Sequence, residues 1–487
     1  MTAYTILFIV EALIVLIGVL VGLKRGAAKA IVRLVELIIV AIISLIIAKG
    51  AMGTLSEAVT EALNTSLEEP LKSILLSAPN AEELILGLVG ALTIPVIFMI
   101  VFAFLKLISL IGLGLITKLI AGWIPKNRLI GAAVGAVTGV LVASIFLCPF
   151  YTSAKILASV PVEQVLEMAD VADTAEAQEV LAYFPEKDMT PPVSAIFVNA
   201  TSSFEANGKT YNATVETPNL IALLLDVANA YTESEENGDE ALLSISAAIS
   251  ASVKHLEDSE YIATLTTSLL NAIGESIKSG NDVFGLADSM EGPAAEAILR
   301  SLGNILTGVT PENIAANIAA LAGDGEKAGV ITVITEITSA GNIEDVLNDK
   351  EKVDKLADSL ITIASDPNLS STMDALTEMG TGMLNEVLPE IETEERTEYM
   401  ETLSESVNEL LAATKETQGD FAASVDTATE IIMEKVSAST DREITEGEAK
   451  LIAICALHNF GTAENYADAE NAPISIEDLE NFFKLNK

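Results

Sequence analysis

The stretch TILFIVEALIVLIGVLVGL, residues 5–23, holds a single charged residue, Glu11. A bilayer core of about 30 Å is crossed by roughly 20 helical residues at ~1.5 Å each. In lipid every backbone N–H and C=O must find its partner inside the helix, so such a run reads as a transmembrane helix. Three further segments before Tyr151 share the property. They cover residues 30–48, with Arg33 and Glu36 near the start, residues 84–105, with Pro95, and residues 129–150, which carry no charge. The expected fold class is mainly α: a four-transmembrane-helix module over residues 1–150, then a large acidic, α-helical extracytoplasmic region over residues 151–487 with a small β-hairpin. A sub-boundary near residue 235 is expected from the run Glu235–Asp239. The first segment is not a cleaved signal peptide, because its basic residues follow the apolar run instead of preceding it.

Charge separates the two regions. Residues 1–150 hold 10 of the 27 basic and 8 of the 69 acidic residues, leaving 17 basic and 61 acidic to the remaining 337. A mean hydropathy of +0.46 beside a formal charge of -42 is explained by this division. A tail so acidic repels phosphate backbones, which excludes nucleic acid as a partner. Two cysteines exclude a disulfide scaffold or a four-cysteine zinc site, and no cofactor or metal site is expected. Cys148 and Cys455 read as two separately buried residues, with a disulfide as the alternative.

Basic residues set the orientation. Lys24, Arg25, Lys29 and Arg33 follow the first segment; Lys106, Lys118, Lys126 and Arg128 lie between the third and fourth. The expectation is that loops 24–33 and 106–128 are cytoplasmic, with the N-terminus and residues 151–487 outside a cell membrane. Residues 107–123 continue apolar, so the third helix is expected to leave the membrane or bend near Lys106, with Trp123 at headgroup depth.

Two glycine series repeat every four residues: Gly18, Gly22 and Gly26, and Gly131, Gly135 and Gly139. Each series lies on one helix face and lets another backbone come close. This reads as a first-to-fourth helix contact or an oligomer seam, against ordinary glycine enrichment. Glu11, roughly 9 Å below the end of its helix, is a functional candidate because intramembrane carboxylates are costly. Its readings are an ion pair with Lys49, a protonated acid at an interface, or a transport role. Arg33 and Glu36, three residues apart, are expected to pair.

Gly22-Leu-Lys-Arg25-Gly26 followed by Lys29, and Arg128-Leu-Ile-Gly131-Ala-Ala-Val-Gly135-Ala-Val-Thr-Gly139, resemble the two hallmarks of the CvpA family of colicin V production proteins. The resemblance covers residues 1 to about 150. It departs at Ala30, where the family often has an acid. The likeness implies a membrane protein connected with toxin production or envelope function, and brings no catalytic residues with it.

The tail shows helical periodicity at Leu242, Ile245, Ile249, Val253 and Leu256 and again at Val346, Val353, Leu356, Leu360 and Ile363. Thr310-Pro311 reads as a helix start and Thr445-x-x-Glu448 as a capping box. Asn207-Gly208 between β-prone runs reads as a hairpin turn. Only His255 and His458 could serve as bases, and neither has a nucleophile elbow beside it. Asp441-x-Glu443 and Asp468-x-Glu470 lack the rest of an EF-hand loop, so divalent cations would be held loosely at most. The chain reads as a non-catalytic membrane scaffold or accessory in envelope function or toxin export, partnered by the bilayer and an unidentified envelope or secretion protein. A channel or transport component is the alternative.

Overall fold

The computed structural model of the chain describes residues 2–66, 78–120, 127–168, 174, 181–236, 241–279, 300, 303–323, 329, 350–377, 393–439 and 446–482. Trp123, Lys126, Val346, Asp441, Glu443 and Thr445 lie outside these, as do residues 237–239 of the acidic run. The chain forms two compact units, Met1–Leu225 and Asp226–Lys487.

In the first unit, α1 (Ala3–Arg25) and α2 (Ala27–Gly50) are separated by Gly26 alone, whose φ of +77° only glycine adopts without strain. Residues 27–33 are therefore helix, not loop. Next come α3 (Met52–Ser66), α4 (Pro79–Ile120), α5 (Arg128–Phe146), α6 (Cys148–Leu157) and α7 (Val162–Met168). Among the described residues four helices are long and apolar enough to cross a membrane: α1, α2 with its extension, α4 and α5. The fourth span is shorter than its apolar sequence. It stops at Phe146 instead of continuing to residue 150, because Pro149 has no N–H to donate and its ring clashes with a helical carbonyl behind it. Proline is tolerated in the first turn of α6, so a new helix restarts at Cys148.

The third span also differs from its expected limits. α4 runs unbroken through Lys106 to Ile120, because one lysine interrupts apolarity without costing helix propensity. Its 42 residues would extend about 63 Å, twice a bilayer core. Its two halves have different surroundings. None of residues 84–95 is exposed, whereas Val96, Ile100, Phe104, Leu107 and Ile108 are. The first half is covered by protein, as Met52 of α3 packs on Gly90 and the ring of Phe204 on Gly87. The exposed apolar side chains of the second half match those of α1 and α2, such as Leu13, Ile17, Ile42 and Ile46.

Helix α8 (Pro192–Ser202) leads into β1 (Ser203–Ala206) and β2 (Lys209–Asn212), an antiparallel hairpin in which Phe204 faces Tyr211. Asn207 and Gly208, with φ of +51° and +73°, form the two-residue turn the sequence signals. Helix α9 (Ala213–Glu236) contains the boundary between the units.

The second unit holds α10 (Ala241–Asp258), α11 (Glu260–Lys278), α12 (Ile314–Ala322), α13 (Lys350–Ser365), α14 (Thr393–Thr414), α15 (Phe421–Ser439), α16 (Glu446–Phe460), α17 (Ala463–Ala467) and α18 (Ile476–Phe482). Its core gathers Ile363, Met373, Leu410, Val425, Ile454 and Leu457, with a satellite around Val407, Leu411, Tyr466 and Leu479. Thr310 does not start α12. The Asn313 side chain turns back to accept the Thr310 N–H at 2.7 Å, and the helix begins at Ile314.

Candidate functional site

The glycine series meet along α1 and α5. A Cβ added to Gly18 would lie 2.5 Å from the Gly135 carbonyl oxygen, and one added to Gly131 would lie 2.6 Å from that of Gly22. Gly139 backs onto Val15, where a Cβ would come within 2.8 Å of the Val15 Cα. Gly26 has open space at its own Cβ position and serves the turn, offering its backbone to Gly131. Hydrogen bonds close the same end of the unit. The Asn127 side chain caps α5 by accepting from Leu129 and Ile130, and its carbonyl accepts from Ala27 and Gly131. Arg25, Lys29 and Arg128 are exposed around this junction.

Glu36 pairs with Lys106 of α4 at 2.7 Å and accepts a hydrogen bond from the Ser109 hydroxyl. This corrects the expected pairing with Arg33: the two groups share a helix, but α4 brings a lysine directly to the carboxylate. Glu36 lies about 14 Å along α2 from Ala27 at ~1.5 Å per residue. Lys106 therefore sits well inside the bundle, and residues 106–120 are not a loop. The Lys106 side chain is 24% exposed and that of Glu36 13%, a pair largely removed from solvent.

Glu11 is engaged by Tyr151, whose hydroxyl donates to Oε2 at 2.5 Å. The ring of Tyr151 lies 6.2 Å from that of Tyr4. The Tyr4 hydroxyl donates to Asp188 at 2.7 Å and contacts the Thr190 hydroxyl at 3.0 Å. The Ala3 N–H adds a 3.0 Å bond to the Tyr183 carbonyl. The segment before α8 is thus strapped to the start of α1. Burial works against ionisation of Asp188, but hydrogen bonds from Thr190 and Tyr4 and the charge of Lys155 outweigh it and hold the carboxyl below its usual range. For Tyr151, burial and then the Glu11 carboxylate push the phenol far above its ordinary value. Tyr4, Tyr151 and Asp188 were not singled out in the sequence. A tyrosine at Tyr151, just past an apolar run, was the one visible sign.

In the second unit both histidines are held by aspartates. His255 Nε2 lies 2.8 Å from Asp226, and His458 Nε2 lies 2.8 Å from Asp374. Asp468 accepts from the Asn471 amide at 2.5 Å and Glu470 lies 3.7 Å from Lys415, so this acidic pair has partners of its own. Among the described residues no group of three or more His, Cys, Asp or Glu could hold a metal ion. Both cysteines are free thiols. Cys148 is buried, but Cys455 is exposed, which corrects its expected burial: it lies beside exposed Ile452 on the outer face of α16.

No family model matches the chain, and neither a curated protein nor a solved structure is significantly similar to it.

Proposed function

We propose that this chain is a multi-pass membrane scaffold of the CvpA type, in which the helical module anchors an acidic, non-catalytic domain that engages an envelope or secretion protein. The contact of α1 with α5 carries this reading. Glycine faces put the two backbones against each other, and the space a solute path would need between them is filled by main chain. That favours an anchor over a channel whose wall is the glycine helices. The family assignment rests on the residues Gly22–Gly26 and Arg128–Gly139.

The orientation we propose places the Gly26–Asn127 junction in the cytoplasm, because exposed Arg25, Lys29 and Arg128 gather there. Residues after α5 then lie outside the cell membrane. Partner capture tests both parts of the reading. Intact cells would be treated with a membrane-impermeant, amine-reactive cross-linker, for which Lys187 and Lys254 are exposed targets. One recurring foreign protein bound to the acidic domain supports the scaffold. A domain that stays unmodified while known surface proteins react overturns the orientation and the envelope partner with it.

A transport role for Glu11 is the second reading, kept by its position within α1 and its bond to Tyr151. It requires that Glu11→Gln abolish flux at unchanged membrane level, which a scaffold would tolerate.

A further inference from the structure

Phe150, Tyr183, Met189 and Ile196 come from separate segments of the first unit, yet each is exposed: 56%, 50%, 46% and 66% respectively. They share no single helix face. They share a depth, which the contacts around each fix independently. Phe150 lies just past Phe146, the last residue of α5. The Tyr183 carbonyl is bound by the N–H of Ala3, the first residue of α1. Met189 lies between Asp188 and Thr190, both bonded to the Tyr4 hydroxyl. Ile196 precedes Phe197, whose ring stacks on Phe98 at 5.9 Å, and one turn along α4 Phe102 meets Phe146 edge-on at 5.6 Å.

All four therefore lie at the end of the bundle where α1 begins and α5 stops. There the belt of exposed isoleucine and leucine on α1 gives out, with Ile6 and Ile9 its last members. Large apolar side chains left half in water at this level would forfeit part of the stabilisation that burial gives. A partner protein recognises a contiguous patch, whereas a lipid interface is defined by depth alone. Aromatic and large apolar residues are enriched at that depth, where ring and headgroup meet.

We propose that α6, the strap over residues 183–190 and α8 form a collar seated in the headgroup–acyl boundary, with the lipid surface as its partner. The inference rests on α1, α2, α4 and α5 spanning the bilayer. Part of the chain beyond the last span is then a membrane-surface element, and the region free in solution begins later than the apolar sequence implies.

Depth-dependent fluorescence quenching tests this on the full-length chain in phosphatidylcholine vesicles. Trp123 is the only tryptophan, so Trp123→Phe gives a silent background. Phe150→Trp, Tyr183→Trp, Met189→Trp and Ile196→Trp are then made singly, with Leu13→Trp as the deep reference. All five sites are exposed, so failure of one variant to fold leaves the others to decide. The collar requires quenching at least twofold stronger by lipids brominated near the headgroup than by those brominated near the chain end. It also requires acrylamide quenching several-fold below that of tryptophan amide in water. Leu13→Trp should show the reverse bromine order. Full acrylamide quenching with no bromine effect at the four sites, beside a quenched Leu13→Trp, overturns the collar and leaves the spanning helices standing. Loss of bromine quenching at Leu13→Trp as well overturns both.

Discussion

The hydroxyl of Tyr151 reaches back from α6 to donate a 2.5 Å hydrogen bond to Glu11, the one acid in α1. The two residues are 140 positions apart, and their bond ties the chain emerging from the fourth membrane-length helix to the first. Because burial and the carboxylate keep the phenol protonated far above its usual range, Tyr151 is a donor throughout the physiological pH range.

Removing that donor leaves the part-buried Glu11 carboxyl without its hydrogen bond from Tyr151. Tyr151→Phe should cost roughly 1–3 kcal/mol, the penalty for a polar group stripped of its partner. Glu11→Gln keeps an acceptor and should cost less, and the two losses should not add. Thermal unfolding in detergent measures all three variants. A Tyr151→Phe midpoint equal to that of the parent would show that the bond contributes nothing.

The glycines separate three effects that substitution usually confounds. Gly18→Ala drives a Cβ to 2.5 Å from a carbonyl oxygen of α5, and backbone cannot step aside as a side chain can. It should cost about 1–3 kcal/mol or more, as overpacking does. Gly26→Ala meets nothing within 4 Å but must hold φ near +77° with ψ near 170°, a region essentially only glycine populates, at a strain of about 1–3 kcal/mol. Gly53→Ala, inside α3 with open space, should stabilise by roughly 0.5–1 kcal/mol. Equal midpoints for Gly18→Ala and Gly53→Ala would contradict the interlocked backbones.

Local patterns were legible in the sequence, and a distant partner was legible only where both sides carried a pattern. The apolar runs and Asn207-Gly208 act through neighbours in the chain, so the helices and the hairpin could be read directly, and the four-residue glycine period on both α1 and α5 pointed to the contact between them. Glu36 had a cation three residues away in Arg33, and nothing local revealed that Lys106 would arrive from another helix. At the same lysine the sequence left a bend in the helix or an exit from the membrane open, because charge is what ends lipid burial. Helix formation answers to propensity instead, and α4 continues past it to Ile120. Pro149 was visible, but its effect was hidden by the uninterrupted apolarity around it.

Lys106→Met strands the Glu36 carboxylate between α2 and α4, where both groups are largely withdrawn from solvent. Breaking one side of such a pair costs about 3–5 kcal/mol. Adding Glu36→Gln removes the stranded charge and should restore most of the loss, giving a large coupling in a double-mutant cycle. Additive single-variant losses in detergent unfolding would mean that the two groups do not pair.

Acid should release the strap over α1 at Asp188. Its carboxyl is held below the usual range because hydrogen bonds from Thr190 and Tyr4, with the charge of Lys155, outweigh its burial. For a carboxyl depressed in the folded state, the unfolded chain takes up protons first. The stabilisation is then complete above the unfolded value of about 3.9 and is lost as pH falls through the lower folded value. Two amides report on the strap: Ala3, bonded to the Tyr183 carbonyl, and Thr190, bonded to Asp188 at 2.9 Å. Their hydrogen-exchange protection, corrected for the intrinsic rate at each pH, should stay flat between pH 5 and 8 and decline below about 4. Asp188→Asn should lower the plateau and abolish the acid step, because the amide accepts weakly and does not titrate. Protection lost between pH 5 and 7 in the parent would assign the release to a different group, and an unchanged acid step in Asp188→Asn would exclude Asp188 as its cause.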